Sequence, residues 1–260
     1  MQVPMAMRPL SYFWTQFLRT WKADIGTTFL TPVLYLASLG LGLGSLVGHG
    51  HALASLGGEN YLSFVAPALL AATAMQVAIS RSTYEIFGYL NRWNGTYLSM
   101  QASPLSIDQI MLGQLIWIAA RVLLATAFYL AASSAFGAVR SPAAAADLVV
   151  GPLVGLAFAA PVCAYSVHVR TDQTFAVIFR LVMLPLFLFS GTFFPVSELP
   201  SALRYLAYAL PLWHGVQLSR DLYAGHIDGP ADLGHVAYLV AVVAAGALLA
   251  RHSYRRRMAR

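Results

Sequence analysis

The side chains that could perform chemistry in this sequence are few and scattered. Seven histidines and one cysteine are present, and no His-Glu-x-x-His zinc motif occurs. His49 and His51 could share a metal ion weakly, but two loop histidines without a third ligand are more often simply solvated. Cys163 lies inside an apolar run, where inert packing is its ordinary role and no intrachain disulfide can form. The sequence therefore predicts no catalytic residue and no metal site.

One charged residue, Arg121, lies well inside an apolar segment at residues 109–137. A charge inside a membrane is expensive, so such groups usually face a helix-bundle interior or water and mark a functional pathway. The alternative is that the long side chain reaches along its helix to the lipid headgroups, since Trp117 marks a nearby interface. The residues alone leave both interpretations open.

A nucleotide-binding loop is absent from this sequence. The Gly-x-x-x-x-Gly-Lys-Ser/Thr loop that cradles phosphates needs a lysine after a glycine, whereas the single lysine, Lys22, follows Trp21. If ATP powers a process in which this chain takes part, another polypeptide must bind the ATP and its Mg²⁺. We therefore expect no cofactor on this chain.

The elements that carry these residues are predicted to be membrane helices. The 260 residues are 58% hydrophobic and 10% charged, with a mean hydropathy of +0.65, whereas soluble domains are about 25% charged. A helix needs about 20 apolar residues to cross a hydrocarbon core of ~30 Å. We therefore expect an all-α integral membrane protein with six transmembrane helices, near residues 28–48, 61–80, 109–137, 147–167, 176–194 and 231–250.

The charges predict the orientation of this bundle. An even number of spans puts both termini on one side, and twelve of the sixteen Lys and Arg residues fall on that side. The positive-inside rule makes it the cytoplasmic side. Topology thus explains the net charge of +6, and nucleic acid is not expected as a partner. The basic tail at 251–260 directly follows a span, which is typical of a cytoplasmic anchor against anionic lipid.

The N-terminal segment, residues 1–27, is predicted to contain an amphipathic helix. Apolar side chains in residues 9–23 recur at helical period, and cations such as Arg19 lie on the other face. A helix of this kind lies in the membrane interface, here on the cytoplasmic leaflet. The apolar stripe consists of Leu10, Phe13, Trp14, Phe17, Leu18 and Trp21.

Residues 195–230 are predicted to form two short helices at the outer face. Pro195 ends the preceding apolar run, and Pro200 and Pro211 each mark a helix start, because proline fits the first helical turn. The segment carries too many leucines for a solvated loop. We therefore expect a re-entrant pair that dips into the membrane, where irregular backbone is tolerated only when protein buries it or water reaches it.

The first predicted span contains a glycine repeat at Gly40, Gly44 and Gly48. Glycines four residues apart clear a groove that lets another helix approach closely, which is a common route to helix association in lipid. We expect tight packing here, within the chain or between two protomers.

Residues 81–108 form the longest and most polar cytoplasmic connection. An Asn-Gly turn signal lies at 94–95, residues 96–101 are predicted to form a short helix, and Pro104 ends it. Ser106 is placed to cap the third span. A short helix that projects here would suit docking onto a soluble partner, and a plain solvated loop is the alternative that these residues leave open.

Several segments, in order, resemble the membrane subunit of type-2 ABC exporters, in particular the nodulation protein J group. The matching stretches lie at 31–48, 82–121 and 189–220 and together span most of the chain. The third stretch, FSGTFFPVSELPSALRYLAYALPLWHGVQLSR, is the most specific. Its Ser-Gly-x-x-Phe-Pro, Leu-Pro and Pro-Leu-x-His elements keep the order and spacing of that family.

The resemblance implies a permease of the bacterial plasma membrane, without enzymatic activity of its own, that forms a homodimer and binds two copies of an ATPase subunit. It also implies that the N-terminal helix and the loop between spans two and three contact the ATPase. The expected coupling residues are Phe17, Arg19, Trp93, Asn94, Thr96, Tyr97, Ser99, Met100, Gln101 and Ser103.

The resemblance further implies outward movement of an amphipathic molecule, such as a lipo-oligosaccharide, a glycolipid or a hydrophobic drug. An arginine in a wet cleft would favour an anionic headgroup, whereas a purely apolar aromatic cleft would favour a drug. The alternative function is a membrane-embedded lipid-processing enzyme. The expected pathway residues are Tyr84, Gln114, Arg121, Tyr129, Phe189, Phe193 and Phe194, although aromatic side chains at helical spacing are more often packing than substrate contacts.

Overall fold

The computed structural model describes residues 8–38, 61–90, 95–226 and 228–258 of the chain. Within these ranges the protein is almost entirely helical and has no strand. The helices, numbered here in chain order, are α1 (Arg8–Ala37), α2 (Tyr61–Leu90), α3 (Thr96–Gln101), α4 (Ile107–Ala135), α5 (Pro142–Ser166), α6 (Gln173–Phe189), α7 (Ser201–Tyr208), α8 (Pro211–Ala224) and α9 (Gly229–Met258).

Five residues with predicted roles lie outside the described residues. They are Gly40, Gly44, Gly48, Trp93 and Asn94. Their assignment to helix packing and to coupling therefore stays a prediction.

Four of the described helices, α2, α4, α5 and α9, are long and apolar enough to cross a membrane. They correspond to the second, third, fourth and sixth predicted spans. The predicted first span, 28–48, is described only as far as residue 38. The predicted fifth span, 176–194, is shorter than expected, because α6 ends at Phe189. The described ranges thus support a multi-pass membrane protein, but they contain four helices of spanning length and not the six that the sequence predicts.

The early end of α6 corrects the prediction that the helix continues to residue 194. The chain turns at Gly191, whose φ of +81° lies in the left-handed region that glycine adopts without steric cost. A Cβ at Gly191 would also lie 2.9 Å from the side chain of Val196. Phe193 and Phe194 therefore follow a turn instead of extending the helix.

α5 packs against α2, α4, α8 and α9. Glycines permit this close approach. A Cβ at Gly151 of α5 would lie 2.4 Å from Cγ2 of Thr126 on α4, and a Cβ at Gly215 of α8 would lie 2.4 Å from Val154 on α5. Small residues at helix crossings allow the van der Waals contacts that hold helices together in lipid.

α1 runs without interruption over Arg8–Ala37, through the boundary at residue 27 that the sequence predicts between an interfacial helix and the first span. Its N-terminal half packs against α4, where Pro9 lies against Gly113. Phe13, on the same face, is buried. The apolar stripe of α1 is therefore covered by α4 at this point.

The short helices begin where the sequence predicts. α3 covers residues 96–101, and α7 and α8 begin directly after Pro200 and at Pro211. Ser106 caps α4 by accepting a hydrogen bond from the backbone N–H of Gln109 at 3.3 Å, and the Gln109 side chain accepts one from the backbone N–H of Ser106 at 2.9 Å. The re-entrant position of α7 and α8 in the membrane stays a prediction.

Candidate functional site

A cavity of about 270 Å³ lies between α1, α2 and α4 and contains three charged side chains. We call it the Arg121 cavity. α4 contributes Trp117 and Arg121, and the C-terminal end of α2 contributes Arg81 and Glu85. The complete lining consists of Phe13, Gln16, Phe17, Thr20, Arg81, Glu85, Tyr89, Trp117 and Arg121.

Arg121 is 5% exposed and lines this cavity beneath α1. Its Cζ atom lies 4.3 Å from the centre of the Phe17 ring, which is a cation–π contact. The Arg121 side chain is thus largely enclosed by described helices of this chain. Burial of this kind is expected for a charge that faces the interior of a helix bundle, and its part in a transport pathway stays a prediction.

The C-terminal end of α2 positions the other two charged groups of the cavity. The segment Arg81–Glu85 forms a wide π-helical turn, a feature that is frequent at functional sites. Arg81 forms an ion pair with Glu85 within this turn. Tyr89, one turn further on, donates a hydrogen bond to Oε1 of Gln16 on α1 at 3.2 Å. The polar side of the cavity is therefore shared between α1 and α2.

Aromatic rings form the remaining walls of the Arg121 cavity. Phe13 stacks on Trp117 with ring centres 6.0 Å apart, and Phe17 meets Trp117 edge-on at 6.0 Å. Phe13 also lies 5.5 Å from the ring of Tyr89. Aromatic pairs of this geometry add to the stability of the packing. The cavity therefore combines charged groups with an apolar aromatic surface.

The predicted coupling helix, α3, contacts α1, α4 and α9. The hydroxyls of Tyr12 on α1 and Thr96 on α3 share a hydrogen bond of 3.1 Å. Tyr97 of α3 donates a hydrogen bond to Oε1 of Gln114 on α4 at 3.3 Å, and its hydroxyl lies 3.3 Å from that of Tyr254 on α9. Burial raises the pKa of Tyr97 well above its usual value, so the hydroxyl keeps its proton. Gln114, predicted for the pathway, thus contacts α3.

The segment that follows Tyr97 is held to the C-terminal end of α9. Gln101 donates a hydrogen bond from Nε2 to the backbone carbonyl of Met258 at 3.1 Å. Asp108, in the first turn of α4, pairs with Arg251 at 2.9 Å and with Arg255 at 2.5 Å. α3 and the start of α4 are therefore joined to the last helix of the chain.

The other predicted coupling residues differ in exposure. Ser99 of α3 and Arg19 of α1 are exposed, Ser103 is half-buried and Met100 is buried. Phe17 lines the Arg121 cavity. The exposed members are the ones that a second protein could contact directly.

The remaining predicted pathway residues lie in separate parts of the described chain. Tyr84 is 48% exposed and stacks on an aromatic ring of α6. Tyr129 is buried near the C-terminal end of α4. Phe189 lines an apolar groove between α6 and α7, Phe193 packs on a ring of α6, and Phe194 packs in a small cluster with α7 and α8. Arg121, by contrast, lines a cavity together with the charged residues Arg81 and Glu85.

One buried carboxyl, that of Asp147, is not among the residues that the sequence predicts for a functional site. Asp147 of α5 is fully buried, and Ser219 of α8 donates a hydrogen bond to its Oδ1 atom at 2.7 Å. Nearby, the hydroxyls of Ser133 on α4 and Tyr223 on α8 are 2.8 Å apart. These bonds hold α8 to the bundle. The sequence signal is an aspartate that opens an apolar run, but its partner lies 72 residues further on.

Further polar contacts hold α8 against α2 and α9. The guanidinium of Arg220 lies 3.8 Å from the centre of the Phe64 ring on α2. His214 of α8 and His235 of α9 approach to 2.7 Å between their Nδ1 atoms. In the part of the chain that the structure describes, no three His, Cys, Asp or Glu side chains converge to hold a metal.

Comparison with known proteins assigns a family to this arrangement. The family model described as ABC-2 type transporter matches residues 10–223, which include the Arg121 cavity, α3 and most of α8. Nodulation protein J of Rhizobium leguminosarum bv. trifolii is 31% identical over 217 residues, 82% of this chain and 80% of the relative. Nodulation protein J of Rhizobium leguminosarum bv. viciae is 29% identical over 251 residues, 95% and 94% of the two chains. That of Sinorhizobium fredii is 29% identical over 230 residues, 87% and 85% of the two chains. The chain therefore belongs to the ABC-2 type transporter family.

Proposed function

We propose that this chain is the permease subunit of an ATP-driven exporter, which moves an amphipathic molecule from the cytoplasmic side of the membrane outward. The observation that carries the proposal is the ABC-2 type transporter match over residues 10–223. Four helices long enough to cross a membrane agree with it. Because the sequence contains no phosphate-binding loop, the proposal places ATP and Mg²⁺ on a separate ATPase subunit and assigns no enzymatic reaction to this chain.

The proposed assembly contains two copies of the permease and two copies of the ATPase in the bacterial inner membrane, with both termini of the permease in the cytoplasm. The apolar surface of the described chain supports burial by lipid or by a second copy, since Leu181 of α6 is 71% exposed and Leu206 of α7 is 57% exposed. The first-span glycines are proposed to add close packing between helices. Residues 1–27, 28–250 and 251–260 would form the interfacial, membrane-spanning and tail regions.

The proposed docking site for the ATPase consists of α3 and the N-terminal half of α1. The hydrogen bond between Tyr12 and Thr96 supports this proposal, because it joins the two segments directly. Trp93 and Asn94 immediately precede α3 and belong to the same proposed contact. A partner that displaces α3 would also displace α9, since Gln101 is hydrogen-bonded to the end of that helix.

The proposed mechanism is a rigid-body rocking of helices. Closure of the two ATPase subunits around ATP would push α3 and tilt the helices attached to it, which is a usual form of alternating access. α5 contacts α2, α4, α8 and α9, so it would carry this displacement across the bundle. Substrate would then leave past α7 and α8. Amphipathic substrates of this kind include lipo-oligosaccharides, glycolipids and hydrophobic drugs.

Reconstitution with the ATPase tests the proposal. The chain is co-expressed with an ABC ATPase from the same genome, purified through a tag on the chain, and placed in lipid vesicles. We expect the two proteins to purify in equal amounts and to move the amphiphile, identified by mass spectrometry of the retained lipid, only when ATP is present. An ATPase whose phosphate-loop lysine is replaced by alanine is the control, which should bind but not transport. Activity of this chain alone without nucleotide would contradict the proposal and favour a lipid-processing enzyme.

A further inference from the structure

We infer that the Arg121 cavity binds the anionic headgroup of the transported amphiphile, which carries a phosphate, sulfate or carboxylate and keeps its apolar tail in the lipid. The identification of this ligand as the transported substrate rests on the proposed export function. It adds the chemical class of the substrate and the place where its polar end binds.

The charged groups of the cavity favour an oxyanion. The two guanidinium groups of Arg81 and Arg121 and the carboxylate of Glu85 all line it. A guanidinium has five N–H donors in a planar fork, and a carboxylate occupies two of them at most. An arginine that already pairs with one carboxylate can therefore bind a second oxyanion. Two such groups on facing helices, α2 and α4, can hold the same headgroup from two sides.

The surroundings of the charges strengthen this preference. Phe17 covers one face of the Arg121 guanidinium at 4.3 Å, and Trp117 continues the aromatic wall. An apolar wall lowers the local dielectric constant, so a charge-assisted hydrogen bond is stronger there than in water. A purely hydrophobic drug matches a different surface, the groove between α6 and α7. That groove is lined by apolar residues such as Leu203 and Leu206 and by no charged side chain.

The size and position of the cavity fit a headgroup and not a whole amphiphile. Its volume of about 270 Å³ is below the ~300–1,000 Å³ of sites that enclose an entire drug-sized ligand. α1, predicted to lie in the cytoplasmic membrane interface, forms one wall. A headgroup can thus enter at the level of the inner-leaflet headgroups while its tail remains among the lipid chains. This arrangement leaves the tail in its lipid environment during binding.

Native mass spectrometry of the whole chain in a neutral maltoside detergent tests the inference. The probe is palmitoyl-oleoyl phosphatidylglycerol. The controls are the diacylglycerol with the same chains, which lacks the oxyanion, and inorganic phosphate, which lacks the tail. We expect phosphatidylglycerol to bind at least about tenfold more tightly than the diacylglycerol, as for other hydrogen bonds to a charged group. Inorganic phosphate at equal concentration should not displace it.

Three variants make the test specific to this cavity. Arg121→Gln should weaken phosphatidylglycerol binding about tenfold, because one guanidinium is lost. Glu85→Gln should strengthen it, because the carboxylate that repels the headgroup is removed. Opposite changes in two neighbouring variants cannot result from misfolding alone. Arg180→Gln is the matched control and should leave binding unchanged, since Arg180 is exposed on α6 outside the cavity.

Three results would overturn the inference: equal affinity for phosphatidylglycerol and diacylglycerol, displacement by inorganic phosphate, or unchanged binding by Arg121→Gln. The export function is measured separately, by ATP-dependent transport with the ATPase. If wild type and Arg121→Gln transport equally well, the headgroup site fails and the export function stands. If the lipid binds as expected but ATP drives no transport, the site stands and the export function fails.

Discussion

Arg121 and Asp147 are both buried, yet their surroundings differ. Arg121 lines a cavity with other charged groups and lies against the Phe17 ring. Asp147 is packed between α5 and α8, where Oδ1 accepts a hydrogen bond from Ser219 and Oδ2 has no hydrogen-bond partner among the described residues. A buried carboxyl with a single hydroxyl partner is costly as an anion. We therefore assign Asp147 to holding two helices together, whereas Arg121 is the residue that we propose for ligand binding.

This assignment predicts the effect of two substitutions at one position. Asp147→Ala should lower the free energy of unfolding by about 1–3 kcal/mol, because Ser219 loses its acceptor and a cavity opens. Asp147→Asn keeps an acceptor oxygen and nearly the same volume, so it should cost less than the alanine. Thermal unfolding in detergent, followed by circular dichroism, measures both. Asp172→Ala is the control, since Asp172 is exposed and makes no capping hydrogen bond to α6.

An asparagine variant as unstable as the alanine variant would contradict this view, because the negative charge itself would then be required. A stable alanine variant would show that the hydrogen bond to Ser219 contributes little.

Single residues were predictable where the sequence departs from a strong physical rule, such as the exclusion of charged side chains from membrane helices. Arg121 can be recognised in the sequence because a charged side chain within a membrane helix costs free energy, so an arginine in an apolar run is rare. Asp147 was missed because it begins an apolar run, where an acid usually faces water, and its partner Ser219 is 72 residues away. Glu85 and Phe17 join Arg121 only through the packing of three helices. No local pattern encodes that contact.

At the scale of elements, contacts of two kinds hold α3 and the adjoining start of α4 to α9. Tyr97 is buried, with its hydroxyl between Gln114 and Tyr254. Asp108 pairs with two arginines of α9 at the surface, where water and salt screen the attraction. Removal of a hydroxyl from a buried network leaves its partners without a hydrogen bond, which costs about 1–3 kcal/mol. We therefore expect Tyr97 to contribute more to this attachment than Asp108 does.

Tyr97→Phe should accordingly destabilise the protein by about 1 kcal/mol or more. In the proposed transporter it should also lower the amount of substrate moved per ATP hydrolysed, since α3 would then be held to α9 less firmly. Asp108→Asn should have a smaller effect on both quantities at physiological salt. Thermal unfolding and ATP-coupled transport measure these effects, with Ser99→Ala at an exposed position of α3 as the control. A stronger uncoupling by Asp108→Asn than by Tyr97→Phe would show that the surface pairs are the main attachment.

The elements were predictable where local chemistry marks their ends. Pro200, Pro211 and Ser106 mark helix starts that the structure contains. The end of α6 was not predicted, because hydropathy continues through Phe194 while the backbone turns at Gly191. The contact between α3 and α9 joins residues 157 positions apart, so it depends on the whole bundle.

At the scale of the whole molecule, apolar surface and positive charge are segregated along α9. Its middle exposes apolar side chains such as Leu248, which is 67% exposed, as a helix that faces lipid does. Its last turn carries Arg255, Arg256 and Arg257, and cations at a helix C-terminus are favourable. This distribution predicts that the end of α9 lies in the cytoplasm, on the same side as α3.

The single cysteine permits a test of this orientation in spheroplasts with a membrane-impermeant maleimide. Cys163 is buried, so the wild-type chain should not react. Arg256→Cys, at an exposed position in the last turn of α9, should react only after the membrane is opened, because the arginine-rich end is predicted to be cytoplasmic. Ser201→Cys, exposed at the start of α7, should react in intact spheroplasts. Reaction of Arg256→Cys in intact spheroplasts would show that the end of α9 lies outside the cell and would contradict the predicted orientation. Because α3 is hydrogen-bonded to this end of α9, the proposed coupling helix would then also lie outside, beyond the reach of a cytoplasmic ATPase.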